Sequence, residues 1–430
     1  MADQTVIIGG GPAGHELALR LGKHGQSVTL IESNHMGGTC LNVGCIPTKA
    51  YLAKAKLAKT LKGLKLDVGS IPSLTLEAIQ AATFRTIGRL RVAMEQDLQR
   101  VGVTVINDTV VSIDNSSITL AGGMTIPYDR GVLATGTTPW IPPALQAYSA
   151  QHNLFTNETI FSLTTTPKTI TIIGGGAIGV EFAFIFSALG SKVTLVEVAP
   201  SILGNLEADL SKEVKRQLKL SRVAVIEGAT LTDELFLADA VLVATGRKPR
   251  LPAQMLPLDL TQNGFIKTGA TYQTSQPNWY AIGDINGRSL LAHAANDQAA
   301  QLADFFLHDK QPIEKPIPNV VYSLPAVASV GVKSNETPKG AIITNTSYNV
   351  LGKAQMEESS EGWVRLIHQN DRLLGFHGFG VVIEDLVPLM QVAIQEKFPL
   401  STLASLVAPH PSYGEILKLA IERAATDIFI

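Results

Sequence analysis

The chain has 430 residues, of which 45% are hydrophobic and 17% are charged, and its formal net charge is −2 at pH 7. This length predicts about two to four globular domains. The near-zero charge argues against binding to nucleic acid or to an anionic membrane. No apolar stretch is long enough to cross a bilayer, and we expect no signal peptide and no membrane insertion.

The predicted elements begin with a strand, a glycine-rich turn, a helix and a second strand. The first strand is Thr5–Ile8, and residues 9–14 form the turn, with the sequence Gly-Gly-Gly-Pro-Ala-Gly. A helical stretch follows, and Gly25 is suited to end it. The second strand, Ser27–Ile31, ends at Glu32. This order indicates an α/β unit.

The same order returns later in the chain. Thr169–Ile173 is a predicted strand, residues 174–179 read Gly-Gly-Gly-Ala-Ile-Gly, and Ile178–Leu189 is a predicted helix. Lys192–Val196 is the next strand and ends at Glu197. In both copies the first glycine precedes the glutamate by 23 positions. The chain therefore contains an internal repeat.

The repeated turn is typical of a dinucleotide-binding site. Its first glycine permits a tight turn, its second lets a pyrophosphate approach the backbone, and its third lets the helix pack on the strand. The helix N-terminus favours phosphate charge, and Glu32 and Glu197 would bind ribose hydroxyls. A glycine-rich turn without a ligand is the alternative, against which the two matched copies argue. The three residues after Glu197 include no Arg or Lys, which favours NAD over NADP.

Both cysteines, Cys40 and Cys45, lie within six residues. In a regular helix, residues five apart are separated by about 7.5 Å of rise, beyond ordinary disulfide reach. The pair therefore predicts a distorted helix, for which Gly44 and Pro47 are suited. A strained, accessible disulfide is readily reduced, so we expect redox chemistry in a reducing compartment. A metal site that includes His35 is an alternative with few ligands, and inert buried cysteines are another.

The remaining elements suggest a third domain. Val132–Gly136 and Val241–Gly246 are predicted buried strands that end in Ala-Thr-Gly, and Trp279–Asp284 is a strand that leads into a turn. From about Lys315 the pattern changes to an α+β type. Its predicted antiparallel strands are Ala326–Val330, Gly340–Asn345 and Trp363–Gln369, and its predicted helices lie near Glu384–Glu396 and Gly414–Ala425.

Residues 37–50, GGTCLNVGCIPTKA, resemble the active-site segment of the flavoprotein pyridine nucleotide-disulfide oxidoreductases, and most closely that of the dihydrolipoamide dehydrogenase group. The resemblance extends over nearly the whole chain. It includes both glycine turns, both Ala-Thr-Gly segments, Ala-Ile-Gly-Asp at 281–284, Leu-Ala-His at 291–293 and His-Pro-Ser-Tyr-Gly-Glu at 410–415.

The resemblance implies two Rossmann-like domains, for FAD and for NAD, and a C-terminal α+β dimerisation domain. The implied boundaries are 1–138 and 263–314 for the two parts of the FAD domain, 139–262 for the NAD domain and 315–430 for the dimerisation domain. It also implies a homodimer in which the histidine of one subunit serves the disulfide of the other.

The resemblance also implies a role for each site residue. Cys45 is the thiol nearest the flavin, and Cys40 exchanges with substrate. His410 is the acid/base and Glu415 orients it, while Lys49 and Glu181 would pair beside the flavin. The implied FAD-binding residues are Gly9, Gly11, Pro12, Ala13, Gly14, Glu32, Gly38, Thr39, Lys49, Ala134, Thr135, Gly136, Gly283, Asp284, Leu291, Ala292 and His293. The implied NAD-binding residues are Gly174, Gly176, Ala177, Ile178, Gly179, Glu181, Glu197, Ala244 and Gly246. No metal is implied.

Structural alternatives accompany four of these residues. Ser412-x-x-Glu415 is also a capping box at a helix start, so Glu415 could be structural. His410, between two prolines, could form a rigid turn. Lys49 could be a solvated charge and Glu181 an ordinary helix residue.

The sequence departs from the family in two places. After Leu220, residues 221–228 lead almost directly to the strand before Gly246, so we expect a shortened secondary sheet in the NAD domain. Gly414 stands where the family usually has a serine. No further cysteine pair is present, and Glu197 argues against NADP-dependent relatives.

The resemblance implies oxidation of dihydrolipoamide by NAD⁺ through the cysteine pair and FAD. The cysteine usage and the expected lack of a signal peptide predict a cytoplasmic location. The lipoamide could be carried on a lipoyl domain of a 2-oxo acid dehydrogenase complex. An NADH-dependent reductase of another small disulfide is the first alternative. A non-catalytic flavoprotein with a structural or regulatory role is the second.

Overall fold

The computed structural model describes residues 3–67, 71–148, 153–252, 254 and 256–426. The strands are β1 (Gln4–Ile8), β2 (Ser27–Glu32), β3 (Thr104–Asn107), β4 (Val110–Ile113), β5 (Ser117–Leu120), β6 (Thr125–Pro127), β7 (Arg130–Leu133), β8 (Thr137–Pro139), β9 (Leu154–Thr156), β10 (Thr169–Ile173), β11 (Lys192–Val196), β12 (Ala224–Ile226), β13 (Ala240–Val243), β14 (Arg247–Pro249), β15 (Trp279–Ala281), β16 (Asn319–Val321), β17 (Ala326–Gly331), β18 (Ile342–Ser347), β19 (Trp363–Gln369) and β20 (Arg372–Gly380). The α-helices are α1 (Pro12–Lys23), α2 (Gly38–Val43), α3 (Cys45–Gly63), α4 (Leu76–Arg100), α5 (Ala177–Leu189), α6 (Ala208–Leu220), α7 (Ala292–His308), α8 (Gly352–Met356), α9 (Ile383–Gln395), α10 (Leu400–Leu403) and α11 (Glu415–Thr426).

These elements form two compact units. The first comprises residues 1–54, 61–166 and 242–313, and the second comprises residues 55–60, 167–241 and 314–430. The domain boundaries expected from the sequence stay predictions. Within the described parts of the chain, no helix has both the length and the apolar run needed to cross a bilayer.

The first unit is built on a parallel sheet with the strand order β15–β7–β1–β2–β3. Ile7 in β1, Leu17 in α1 and Leu302 in α7 belong to one buried cluster. The continuous apolar run of β1 suits a parallel strand that is covered on both faces. The glycine turn at residues 9–14 follows the carboxyl end of β1, which is the edge where such sheets bind ligands.

The second unit repeats this design. Strands β10, β11 and β12 pair in parallel. Helix α5 follows the second glycine turn, and Phe182, Phe184 and Ile185 on it are almost completely buried. The predicted strands β10 and β11 are confirmed residue for residue, and the predicted helix begins one residue earlier, at Ala177.

The second repeat is shorter than the first. In the first repeat, an antiparallel sheet of β4, β5 and β6 lies in the chain between β3 and β7. In the second, the fully described stretch between β12 and β13 contains one 3-10 turn, Asp233–Phe236, and no strand. The shortening predicted after Leu220 is confirmed.

The second unit also contains an antiparallel sheet with the order β16–β17–β20–β19–β18. Its buried face packs against α9 and α11, and Leu366, Phe376, Met390 and Ile421 share the core. The α+β character expected from about Lys315 onward is confirmed. Strand β19 has the predicted bounds, and the other predicted elements shift by at most two residues at either end.

Candidate active site

A close backbone contact fixes both glycine turns. A Cβ atom on Gly14 would lie 1.9 Å from the carbonyl oxygen of Gly9, and one on Gly179 would lie 1.9 Å from that of Gly174. No side chain fits at a distance this short. The third glycine of each turn is therefore needed for the helix to pack on the strand, which is the packing role predicted for it.

The helix starts beside these turns have room for a phosphate group. A Cβ atom on Gly11 or on Gly176 would meet no atom of the described residues within 4 Å. Both glycines are N-caps, of α1 and α5, and neither helix has a side-chain cap within the described chain. The first N–H groups of a helix lack partners within it and attract anions. The open space and the donors fit the pyrophosphate groups of FAD and NAD.

A glutamate accepts hydrogen bonds from the backbone beside each turn, in the same arrangement in both repeats. Glu32 accepts hydrogen bonds from the N–H groups of Gly10 at 2.6 Å and Asn34 at 2.8 Å. Glu197 accepts them from Gly175 at 2.6 Å and Ala199 at 2.7 Å. Each carboxylate oxygen can accept a second hydrogen bond. Both side chains can therefore still bind ribose hydroxyls while the backbone fixes their orientation.

Several predicted FAD-binding segments converge on the first turn. Three close approaches show this. A Cβ atom added to Gly9 would lie 3.0 Å or less from Ala134, and the same holds for one added to Gly38 with Gly11 and for one added to Gly283 with Ala13. Helix α7 begins at Ala292, so the N–H of this residue lies in the first turn of a helix. The structure thus brings together segments that are far apart in the chain.

The helix that carries the cysteines is interrupted at Gly44. Helix α2 ends at Val43 and α3 begins at Cys45, and Gly44 between them has φ −136° and ψ −112°. A Cβ atom on Gly44 would lie 2.8 Å from the carbonyl oxygen of Thr39 and 3.3 Å from the Cα atom of Cys40. The predicted distortion is confirmed, and it depends on the close approach of two backbone segments.

Both cysteines are thiols in this structure, Cys40 half-buried and Cys45 exposed. A hydrogen bond to Cys45 raises the pKa of Cys40, burial and the Cys45 charge act in the same direction, and Lys49 opposes them. The Cys40 thiol is therefore harder to deprotonate than an ordinary cysteine thiol.

His410 and Glu415 contact each other in the second unit. The His410 Nδ1 atom lies 2.9 Å from Glu415 Oε1, and the other carboxylate oxygen accepts the Ser412 N–H at 2.8 Å. The hydrogen bond to His410 lowers the pKa of Glu415, and the Ser412 N–H acts in the same direction. An ionised Glu415 requires Nδ1 to carry the proton, so Nε2 of the neutral imidazole is the basic atom. The His410 side chain is 78% exposed.

Only half of the predicted capping box is formed. Glu415 accepts the Ser412 N–H, but the Ser412 hydroxyl oxygen is buried and has no hydrogen-bond partner among the residues that the structure describes. Helix α11 itself begins at Glu415. The carboxylate therefore has both the structural contact and the contact with His410.

Lys49 and Glu181 belong to different compact units. Lys49 lies on α3, four residues after Cys45, and its charge acts on Cys40. Glu181 on α5 is 5% exposed and accepts the Tyr322 N–H at 3.2 Å. Their predicted pairing stays a prediction.

A partly buried ion pair in the first unit was not among the predicted site residues. Arg247, 10% exposed, donates to Glu158 at 2.8 Å, and both side chains approach the Thr39 hydroxyl at about the outer limit of a hydrogen bond, 3.4 and 3.5 Å. Arg247 directly follows the second Ala-Thr-Gly segment. A charged residue just after a buried strand is the local signal that could have drawn attention to it.

The described chain contains no group of three or more His, Cys, Asp or Glu side chains placed to hold a metal ion.

Two family profiles match the chain. The profile of the pyridine nucleotide-disulphide oxidoreductases covers residues 3–299. The profile of the dimerisation domain of the same family covers residues 317–421.

Named relatives match along nearly the whole length. A dihydrolipoyl dehydrogenase of Chlorobaculum tepidum is 30% identical, with 97% of this chain and 96% of that protein covered. One from Mycoplasma pneumoniae is 28% identical, with 99% of each covered.

Solved structures share the fold. LpdA from Mycobacterium tuberculosis has a TM-score of 0.88 at 23% identity, over 98% of this chain and 100% of that one. The HOCl-induced flavoprotein disulfide reductase RclA from Escherichia coli has a TM-score of 0.87 at 24% identity, over 97% and 99%.

Proposed function

The chain belongs to the pyridine nucleotide-disulphide oxidoreductase family, and from this membership we propose that it is a dihydrolipoamide dehydrogenase. As a member of the family it is a flavoprotein enzyme with FAD and NAD as cofactors. The proposed reaction converts dihydrolipoamide and NAD⁺ to lipoamide, NADH and a proton. The observation that carries the proposal is the hydrogen-bonded pair of Cys40 and Cys45 at the helix break.

In the first proposed step, one thiolate of dihydrolipoamide attacks the sulfur of Cys40 in the oxidised pair. The bond between Cys40 and Cys45 breaks, and Cys45 leaves as a thiolate. The second substrate thiolate then displaces Cys40 from the mixed disulfide, and lipoamide leaves with its own disulfide closed. The cysteine pair gains two electrons. Of the two substrate protons, one passes to a base and the other to the sulfur of Cys40 as it leaves.

His410 is the proposed base. Its Nε2 atom is the basic one, because Nδ1 faces the ionised Glu415. A base is needed because a thiol attacks a disulfide only as a thiolate. The raised pKa of Cys40 makes the same base useful when this thiol has to be deprotonated in turn. The high exposure of His410 supports a site that is completed by a second subunit.

The cofactor assignments follow the two glycine turns. Glu32 and the segments that converge on the first turn would hold FAD, and Glu197 and the second turn would hold NAD. FAD, when bound, supplies the two-electron carrier between the reduced cysteine pair and NAD⁺. The carboxylate of Glu197 would repel the 2′-phosphate of NADP.

The proposal includes a homodimer, which the match to the dimerisation domain supports. It also places the enzyme in the cytoplasm, because a chain whose two cysteines form one close pair is typical of a reducing compartment, where disulfides are usually catalytic. The lipoyl group would be presented by a lipoyl domain on another chain.

Reduction of NAD⁺ by dihydrolipoamide tests the proposal. The FAD-loaded protein is assayed anaerobically for NADH, with other small dithiols and with NADP⁺ as comparisons. We expect dihydrolipoamide and NAD⁺ to be preferred, and Glu197→Ala to weaken the preference for NAD⁺. Absence of NADH from a sample with full FAD content would assign the cysteine pair to a different disulfide.

A further inference from the structure

The partly buried Arg247 side chain contacts both Glu158 and Thr137 in the first unit. Its Nε atom donates to the hydroxyl oxygen of Thr137 at 2.8 Å, and a terminal nitrogen donates to Glu158 at 2.8 Å. The same terminal nitrogen donates to the carbonyl oxygen of Thr137, also at 2.8 Å. Thr137 is 3% exposed, and its hydroxyl oxygen lies 3.1 Å from the Oδ2 atom of Asp284.

The hydrogen bonds of this network are donated in one direction, from Arg247 toward Asp284. A guanidinium group can only donate, so the Thr137 hydroxyl must accept from Arg247. The one hydroxyl proton is then available for Asp284, to whose Oδ2 atom the Thr137 hydroxyl donates at 3.1 Å. The ionised carboxylate is the form in which both oxygens act only as acceptors.

We infer that Arg247 is a positioning residue that, through Thr137, holds the Asp284 carboxylate in place as a hydrogen-bond acceptor for a hydroxyl group of FAD. The inference rests on the proposed position of FAD beside Asp284. One carboxylate oxygen is taken by Thr137, and the other has its lone pairs available for the ligand. Neither Arg247 nor Thr137 needs to touch the flavin for this effect.

The surroundings of Asp284 explain why such support is needed. Burial raises the pKa of Asp284, while the Thr137 hydrogen bond and the Arg247 charge lower it. From the neighbouring helix α7, the neutral Gln298 accepts the Gly283 N–H at 2.8 Å. Glu158 lies against Arg247 and neutralises part of its charge. Loss of Arg247 or of the Thr137 hydroxyl therefore raises the pKa of Asp284.

The test is the release of FAD from the holoenzyme, followed by flavin fluorescence at equilibrium between about pH 5 and about pH 8. Thr137→Val, which keeps the shape of the side chain, should raise the dissociation constant about tenfold, the effect of one hydrogen bond to a charged group. Thr137→Ser is the matched control and should stay within about twofold of wild type. The double variant Arg247→Met/Glu158→Gln leaves no unpaired charge and should behave like Thr137→Val.

The pH dependence separates positioning from packing. As the pH falls, protonation of Asp284 removes the acceptor, so the wild type releases FAD only toward acid pH. In Thr137→Val the raised pKa moves this release to higher pH. In Asp284→Asn, FAD binding should be weak and should lose the pH dependence that comes from this site.

Two results would overturn the inference. The first is that Thr137→Val and the double variant both bind FAD with wild-type affinity and pH dependence, while Asp284→Asn binds it weakly. This result would reject the role of Arg247 but keep the proposed position of FAD beside Asp284. Unchanged affinity in Asp284→Asn would reject the FAD position as well. Neither result depends on turnover, so both are distinct from a failure of the dihydrolipoamide assay.

Discussion

The Glu415 carboxylate serves two partners, and Glu415→Gln separates their contributions. One oxygen contacts His410 at 2.9 Å, and the other accepts the Ser412 N–H at 2.8 Å. A glutamine has a single acceptor oxygen and an NH₂ donor. If the amide oxygen of this glutamine accepts the Ser412 N–H, the NH₂ group faces Nδ1 of His410. It then favours the histidine tautomer that has its proton on Nε2. This tautomer cannot accept a proton from Cys40.

The expected loss in kcat is about a hundredfold. A positioned acid/base group contributes about 10²- to 10⁴-fold. Since the His410 side chain is 78% exposed, water can reorient part of the population, and we expect the lower end of that range. A hundredfold loss corresponds to about 2.7 kcal/mol in the activation free energy. The free energy of unfolding should fall only slightly, because the Ser412 N–H keeps an acceptor.

The assay combines steady-state turnover across the pH range with urea unfolding of the same preparations. Ser412→Ala is the control, since its hydroxyl has no hydrogen-bond partner within the described chain. This variant should keep kcat within about twofold and should be as stable as the wild type or more stable. Wild-type kcat in Glu415→Gln, together with reduced stability, would mean that Glu415 only supports the helix start, and would refute the reasoning.

Three further outcomes are expected. Gly44→Ala should cost about 1–3 kcal/mol in unfolding free energy and should slow turnover, because the added methyl group would separate the cysteines; wild-type values for both would contradict this. Mixed dimers of His410→Gln and Cys40→Ser subunits should recover activity that neither variant has alone. No recovery in confirmed mixed dimers would mean that each site lies within one subunit. Arg365→Met should lower the unfolding free energy in urea by about 3 kcal/mol, because the buried Glu207 loses its ion pair; a change below about 1 kcal/mol would show that Glu207 finds another partner.

The glycine turns could be predicted from sequence because their determinants are local. Strand β10, the turn at residues 174–179 and helix α5 follow one another within a short stretch, and each has its own short-range signal. The same holds for the helix break, since Gly44 lies directly between the cysteine helices. Local patterns therefore gave the position of the cysteine pair and of both dinucleotide turns.

Strand β20 shows where local patterns fail. Its glycines weigh against a strand when the sequence is considered alone. The structure requires them: a Cβ atom on Gly375 would lie 2.2 Å from the carbonyl oxygen of Val332, and one on Gly378 would lie 2.4 Å from the side chain of Ile383. Glycine is selected there by packing against neighbours that only the tertiary structure brings close.

The contacts of Arg247 could not be predicted from the sequence for a related reason. Its partners Glu158 and Thr137 precede it by 89 and 110 residues. The recognisable Ala-Thr-Gly segment ends at Gly246, so the motif itself gives no reason to include the next residue. Networks of this kind depend on long-range placement, which one sequence does not encode in any local pattern.

The central claim is that electrons pass through the Cys40–Cys45 pair. The most direct measurement is anaerobic reduction of NAD⁺ by dihydrolipoamide with the wild type and with Cys40→Ser, with FAD content determined on the same samples. The account predicts turnover by the wild type, none by Cys40→Ser, and full FAD content in both. Undiminished turnover by Cys40→Ser would contradict it.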